Sequence, residues 1–149
     1  MKNPKIQIRP VGPGDIGQVA EMNLNLIRDE GSVNPMSLAQ LEDRMRAWLA
    51  GAYKALLVLC GDEVIGYALY RSEPEEHSKD RPRIYLRQYF IKKQFRKKGY
   101  GKAAIDLILA QHFPENSEIS VDVLETNPGG KEFWEKAGFK KYFTNFRRS

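Results

Sequence analysis

The period of the apolar positions changes several times along the chain, and the changes outline its elements. "KIQIRP" alternates with period two and predicts a short first strand. "GPGD" follows as a turn, with Asp15 placed to cap a helix. Ile16, Val19, Ala20 and Ile27 then share one helical face, which predicts a helix from Ile16 to Ile27. "GSVNPMS" interrupts it, and Ser37 is a second capping candidate. Leu38, Leu41, Met45, Trp48 and Leu49 recur at spacings of three and four, predicting a second amphipathic helix. In "YKALLVLCGDEVIGYALYRS" two apolar runs flank "GDE", the pattern of a hairpin. "EPEEHSKDRP" is polar and proline-bounded, hence a loop, and "RIYLRQYFI" is a strand rich in aromatic and branched residues. After "KKQFRKKGYG" a helix runs to about Phe113, with Ile105, Ile108 and Leu109 on its buried side and a stop near Pro114. "EISVDVLETN" alternates as a strand, "PGGKEFWEKAGF" is a short helix with Pro128 near its start and Gly138 at its end, and "KKYFTNF" is a final strand. The order β-α-α-β-β-β-α-β-α-β, hairpins first and a βαβ unit later, predicts an α/β (α+β) fold with a mixed, mostly antiparallel sheet flanked by helices.

The 149 residues contain no internal repeat, low-complexity segment or long linker, so residues 1–149 are expected to form a single domain. Apolar residues at 42% and charged residues at 29% are ordinary for a globular chain. No apolar run approaches the ~20 residues that cross a bilayer, and "MKNPKIQIRP" lacks the apolar core of a secretory signal. No membrane partner is therefore expected, and the default location is the cytoplasm. One cysteine, Cys60, excludes an intramolecular disulfide framework, and its place in "ALLVLC" suits a buried structural thiol. His77 and His112 lack the spacing of metal ligands, so no metal is expected. The net charge of +5 favours anionic ligands without choosing among them.

The distribution of the cations narrows the choice. Arg96, Lys97, Lys98 and Lys102 surround Gly99 and Gly101 where a strand-loop becomes a helix. A helix start presents unpaired N–H groups and the positive end of the macrodipole, and glycine lets a ligand approach the backbone. Together these make a phosphate or pyrophosphate cradle. A Walker loop fails, because position 96 is arginine rather than glycine and Ala103 follows Lys102. Gly99, Gly101 and Ala104 fit G-x-G-x-x-A, but a charged segment from Lys92 to Lys98 separates them from the strand, and fewer than fifty residues follow Gly101. A nucleic-acid surface would spread cations and aromatics along a groove; here they gather at one glycine pair, so no nucleic-acid partner is expected.

The remaining pattern is R-x-x-G-x-G. "FIKKQFRKKGYGKAA", with "VDVLETN" and "KEFWEKAGF" in order behind it, resembles the acetyl-CoA-binding motif, later strand, asparagine and closing helix of the GNAT superfamily of N-acetyltransferases. Residue-level similarity runs from about Tyr89 to Phe139, and the inferred elements before it suit the same fold.

The resemblance implies an enzyme that moves an acetyl group from acetyl-CoA to a primary amine of a small molecule or peptide, by direct attack. It implies that the backbone N–H groups of Lys97, Lys98, Gly99, Tyr100, Gly101 and Lys102 grip the coenzyme A pyrophosphate, with Arg96 opening the motif. The pantetheine arm would follow the strand end at Tyr89, Phe90 and Ile91, opposite a strand that splays away. An N–H near Ile91 would stabilise the oxyanion, and Asn127 would contact the arm or act only as a turn residue before Pro128. A proton must leave the amine, and Asp122, within its strand, is preferred to Glu125 as the base; either could equally be a surface carboxylate. Trp134 stands where the family often has a tyrosine that protonates the thiolate, a task indole cannot perform. Coenzyme A would then leave as thiolate, or Tyr142 would reach in, or only a non-catalytic acyl-CoA sensor would remain. Asp29 and Glu30 could attract a cationic acceptor or be solvated helix-end charges. The short end after "KKYFTNFRRS" could leave a sheet edge open and favour a homodimer.

Overall fold

The computed structural model describes residues 5–73 and 81–149. Its centre is two strands whose side chains are buried on both faces. β2 (Lys54–Cys60) sends Leu56 and Val58 to one core and Ala55 and Leu57 to another, and β3 (Glu63–Ser72) likewise divides Ala68 and Tyr70 from Tyr67 and Leu69. This is why "ALLVL" and "YALY" read as continuous apolar runs rather than alternating ones. β1 (Ile6–Pro10) and β4 (Arg83–Ile91) flank the pair, and β5 (Glu118–Ser120) lies beyond β4, giving the order β1-β2-β3-β4-β5. The first four strands are antiparallel; β5 is parallel to β4.

Helices α1 (Ile16–Asp29) and α2 (Leu38–Ala50) cover one face, burying Ile16, Val19, Met22, Leu26 and Met45 against Leu57, Tyr67 and Phe90. α3 (Tyr100–Gln111) covers the other with Ala104, Ile105 and Ile108, and α4 (Pro128–Lys136) adds Phe133 and Trp134 at its margin. Ser37 caps α2 as its position suggests: its Oγ accepts from the Gln40 N–H, and the Ser37 N–H donates to Gln40 Oε1 at 2.8 Å.

Several expectations are corrected. Asp15 does not cap α1 with its side chain; its carboxylate takes the Gly12 N–H and pairs with Arg9 at 2.9 Å, which together hold its pKa below the ordinary value. Cys60 is half-buried at the margin of the core. The "EISVDVLETN" strand is confined to Glu118–Ser120, because β4 and β5 separate after Tyr85↔Ser120 and no ladder remains to hold extended chain. "KKYFTNF" forms no strand: residues 140–149 are exposed, so they bury nothing to offset the entropy of ordering them. Of the "EPEEHSKDRP" loop, residues 74–80, with His77, lie outside the described residues.

Candidate functional site

The separation of β4 from β5 makes the first part of the site. Only Arg83, Ile84 and Tyr85 are paired with β5, so β4 continues for the six residues 86–91 without a partner on that side, a length of about 20 Å. The direction of its backbone groups follows from their neighbours. Lys92 N–H donates to Ile65 O at 2.7 Å, and Gly66 faces Ile91 so closely that a Cβ would stand 2.1 Å from Phe90 O. Lys92 N–H and Phe90 O thus point to β3. Alternation then turns the N–H groups of Ile91 and Tyr89 to the open side. Ile91 O, on that same side, accepts from Arg96 Nε at 2.7 Å. A bulge between Tyr70↔Leu86 and Leu69↔Gln88 inserts Arg87, so Arg87 and Gln88 both face α1 and α2.

The loop after β4 forms the second part. Residues 93–95 make one 3-10 turn, Lys97 takes φ 62°, and Gly99 takes φ 86° before α3 begins. A lysine in the left-handed region costs about 1–2 kcal/mol, strain of a kind that gathers at ligand-binding loops. Among the described residues, no protein acceptor takes the backbone N–H of any residue from Lys97 to Lys102; the next N–H, of Ala103, bonds Gly99 O at 3.0 Å. Open space lies where a Gly99 side chain would project. Lys97 and Lys98 are exposed, and Lys102 pairs with Asp106 at 2.7 Å. The loop therefore offers a run of free donors at a helix start, ringed by cations.

The two glycines differ in purpose. A Cβ on Gly101 would lie 3.0 Å from Phe133 Cε1, so its bare backbone serves the packing of α3 against α4 rather than ligand approach. Tyr89 reinforces that junction. Its hydroxyl donates to Gly101 O at 2.6 Å, and its ring stacks on Phe133 at 5.9 Å and lies 5.5 Å from Trp134. Burial, then Asp106, raises the Tyr89 pKa, so the phenol stays neutral and keeps donating. Arg96 is a brace: besides Ile91 O it bonds Asp29 Oδ2 at 2.5 Å and lies over the Phe90 ring. Asp29 is thereby occupied and is not free to draw in a cation.

On the α1–α2 side, Tyr85 donates to Asp122 Oδ2 at 2.8 Å; burial and that carboxylate push the Tyr85 pKa up to about 12. Asp122 lies two residues past the end of β5 and is exposed, not embedded in a strand. Glu125 pairs with Lys131 at 2.6 Å, which holds its pKa below the ordinary value. Glu30 is half-buried, and burial, helped by Asp29, raises its pKa. Asn127 caps α4 by accepting the Gly130 N–H at 3.1 Å. Trp134 packs among Tyr89, Phe133 and Phe139. Tyr142 is 90% exposed and touches Phe143, so the structure does not bring it to the split. His112 is half-buried at the end of α3, and no cluster of metal-ligating side chains occurs among the described residues. No helix among them is long and apolar enough to cross a membrane.

Sequence reasoning missed the polar wall of this face: Arg44, Trp48, Tyr53, Arg71, Tyr85 and Arg87. Tyr85 and Arg87 at alternate positions of "RIYLRQYFI", and Arg44 four residues before Trp48, were the available signals.

Comparison with known proteins agrees with this architecture. No curated protein sequence matches the chain. A possible acetyltransferase from Clostridium difficile 630 superposes with a TM-score of 0.75 at 21% identity, over 97% of this chain and 96% of that one. A GNAT family acetyltransferase from Staphylococcus aureus gives 0.71 at 20% identity, over 97% and 98%. An aminoglycoside N-acetyltransferase in complex with CoA gives 0.76 at 14% identity, over 99% and 97%. At such identities the likeness is one of fold. The family model described as the acetyltransferase (GNAT) family matches residues 23–139, which takes in the second half of α1, all of α2, strands β2 to β5, the splayed strand end, the glycine loop, α3 and α4. The chain is a member of the GNAT acetyltransferase family.

Proposed function

We propose that the protein transfers an acetyl group from acetyl-CoA to a primary amine, with the diphosphate of coenzyme A held by the backbone N–H groups of Lys97 to Lys102. The observation that carries this reading is that run of donors, which no protein group satisfies among the described residues. The fit is chemical as well as geometric: several N–H groups on a helix start, exposed lysines and open space at Gly99 suit a diphosphate.

The acetyl thioester supplies an activated acyl group. The unpaired edge of β4 accepts the amide-bearing arm as a neighbouring strand would be accepted. One of the N–H groups of Ile91 and Tyr89, which face the open side about 7 Å apart along the strand, donates to the thioester oxygen as negative charge grows on it, an effect of a few kcal/mol. Asp122, fixed by the Tyr85 hydroxyl, is the carboxylate we assign to the ammonium proton; Glu125 is engaged by Lys131. With Trp134 inside an aromatic cluster and Tyr142 remote, no hydroxyl is assigned to the leaving sulfur, which departs as thiolate.

Thermal melting with and without acetyl-CoA tests the cradle. Ligand at about 100 times its Kd stabilises by ~2.7 kcal/mol, equivalent to a rise of roughly 5–10 °C for a chain of this size. Gly99→Glu, which places bulk and negative charge in the cradle at a left-handed position, removes that rise. No rise in the unaltered protein refutes the reading. Thiol release across a broad panel of amines then separates an enzyme from the acyl-CoA sensor that Trp134 favours: firm cofactor binding with no release from any amine supports the sensor.

A further inference from the structure

We propose that the face of the sheet beside the split carries an oxyanion subsite formed by Arg44, Arg71 and Arg87, so that the amine this protein acetylates also bears a carboxylate or phosphate. This rests on the acetyl-transfer reading above and narrows the acceptor to one chemical class.

Three guanidinium groups converge on one pair of rings. Trp48 and Tyr53 lie 5.4 Å apart. Arg44 sits 4.3 Å and Arg87 4.8 Å from the Trp48 centroid, and Arg71 sits 5.4 Å from both Tyr53 and Tyr85. Like charges gathered in this way repel, and desolvation together with Arg87 lowers the pKa of Arg44. Yet the carboxylates that would relieve the repulsion are scarce. Among the described residues, the nearest acid contact is Arg71 to Glu73 at 3.8 Å, while Arg44 bonds only the Asn23 amide oxygen and Arg87 only the Tyr53 hydroxyl.

Stacking on the rings accounts for the faces of the guanidinium groups. It does not account for their edges. Arg44 Nε and Arg71 Nε are buried with no acceptor, as is the amide nitrogen of Asn23, which stands beside Arg44. Guanidinium edges are where a carboxylate or phosphate docks in two-point fashion. A fold that merely needed cations on rings would not leave in-plane N–H groups buried and unmet.

The position suits an acceptor. Arg87 is the bulged residue of β4 and stands two residues from Tyr89, roughly 7 Å along the strand. Tyr89 carries one of the N–H groups that face the split. Asp122, held by the Tyr85 hydroxyl beneath Arg71, and the half-buried Glu30 share this face with the arginines, so an acceptor that carries both an ammonium and an anion meets groups of both signs there. A polycation would meet three arginines instead. The aminoglycoside acceptor of a structural neighbour is therefore the wrong class for this chain.

The test uses matched acceptors in a thiol-release assay at saturating acetyl-CoA: β-alanine against β-alaninamide, glycine against glycinamide, and phosphoethanolamine against ethanolamine, with spermidine as the polycation. We expect kcat/KM at least tenfold higher for an anionic member than for its uncharged partner, and the phosphate and carboxylate pairs show which oxyanion is meant. Arg87→Gln should collapse that preference chiefly through KM, and Arg87→Lys should restore only part of it. Equal rates within every pair, a preference for spermidine, or an undiminished preference in Arg87→Gln overturns the proposal. If no amine releases thiol, the transfer reading has failed and the subsite is judged by binding. In the coenzyme A-loaded protein, the side-chain Nε–H resonances of Arg44 and Arg71 are titrated with sodium acetate and with inorganic phosphate at constant ionic strength. A saturable shift with either supports the subsite, and no shift beyond that of chloride overturns it.

Discussion

Glu30 shows how a single residue's surroundings convert to a measurable pH dependence. Its carboxyl is half-buried at the end of α1 with Asp29 beside it, so its folded-state pKa lies above the unfolded value. Such a group favours folding in its protonated form. Its contribution is fully present below the unfolded pKa and is lost as pH rises through the folded one. Glu30→Gln is therefore expected to raise the melting temperature at neutral pH, with the gain vanishing below the ordinary glutamate range; a gain that persists at low pH contradicts this account. At the same scale, the sequence shows Gly99 and Gly101 as one motif, yet they do separate work. Gly99 is left-handed and faces open space before α3, while Gly101 admits Phe133. Nothing in G-x-G spacing distinguishes the two, because the distinction depends on what approaches from α4.

At the scale of elements, the site depends on where β4 stops having neighbours. Gly66 in β3 sets the approach of Phe90 and Ile91, since any Cβ there would overlap Phe90 O. Gly66→Ala is expected to destabilise the fold by roughly 1–3 kcal/mol, and also to weaken acetyl-CoA binding because the end of β4 must shift. Urea unfolding and ligand titration read the two effects separately, and a loss of stability with unchanged affinity would separate Gly66 from the site. The helices were legible from spacing and caps, as Ser37 and Pro128 show. The last two strands were not. "EISVDVLETN" and "KKYFTNF" have strand-like residues, but strand formation needs a partner ladder, and the partner is a matter of the sheet rather than of the segment.

At the scale of the molecule, Arg96 joins parts far apart in the chain. Its guanidinium links the β4 end, the Phe90 ring and the end of α1 through Asp29, so the glycine loop is tied to the helix pair on the other face of the sheet. Arg96→Ala is expected to cost about 1–3 kcal/mol, chiefly through the charge-assisted bond to Ile91 O, and to lower coenzyme A affinity by loosening the loop. Asp29→Asn removes only the half-exposed ion pair and should cost less than ~1 kcal/mol. Equal effects of the two variants in urea titrations would show that the ion pair, not the bond to β4, holds the loop.

The sequence by itself determined the element order through β4, the sheet flanked by helices and the glycine turn that opens α3. Those features are local: hydrophobic period, capping side chains, and a glycine at a helix start act within a few residues of where they are written. Only the tertiary structure decided which backbone groups stay unpaired, which carboxylates are already taken, and that Arg44, Arg71 and Arg87 meet around one tryptophan. Those outcomes depend on strands and helices distant in sequence arriving at the same place, and burial, pairing and repulsion act on distance in space, which no spacing along the chain records.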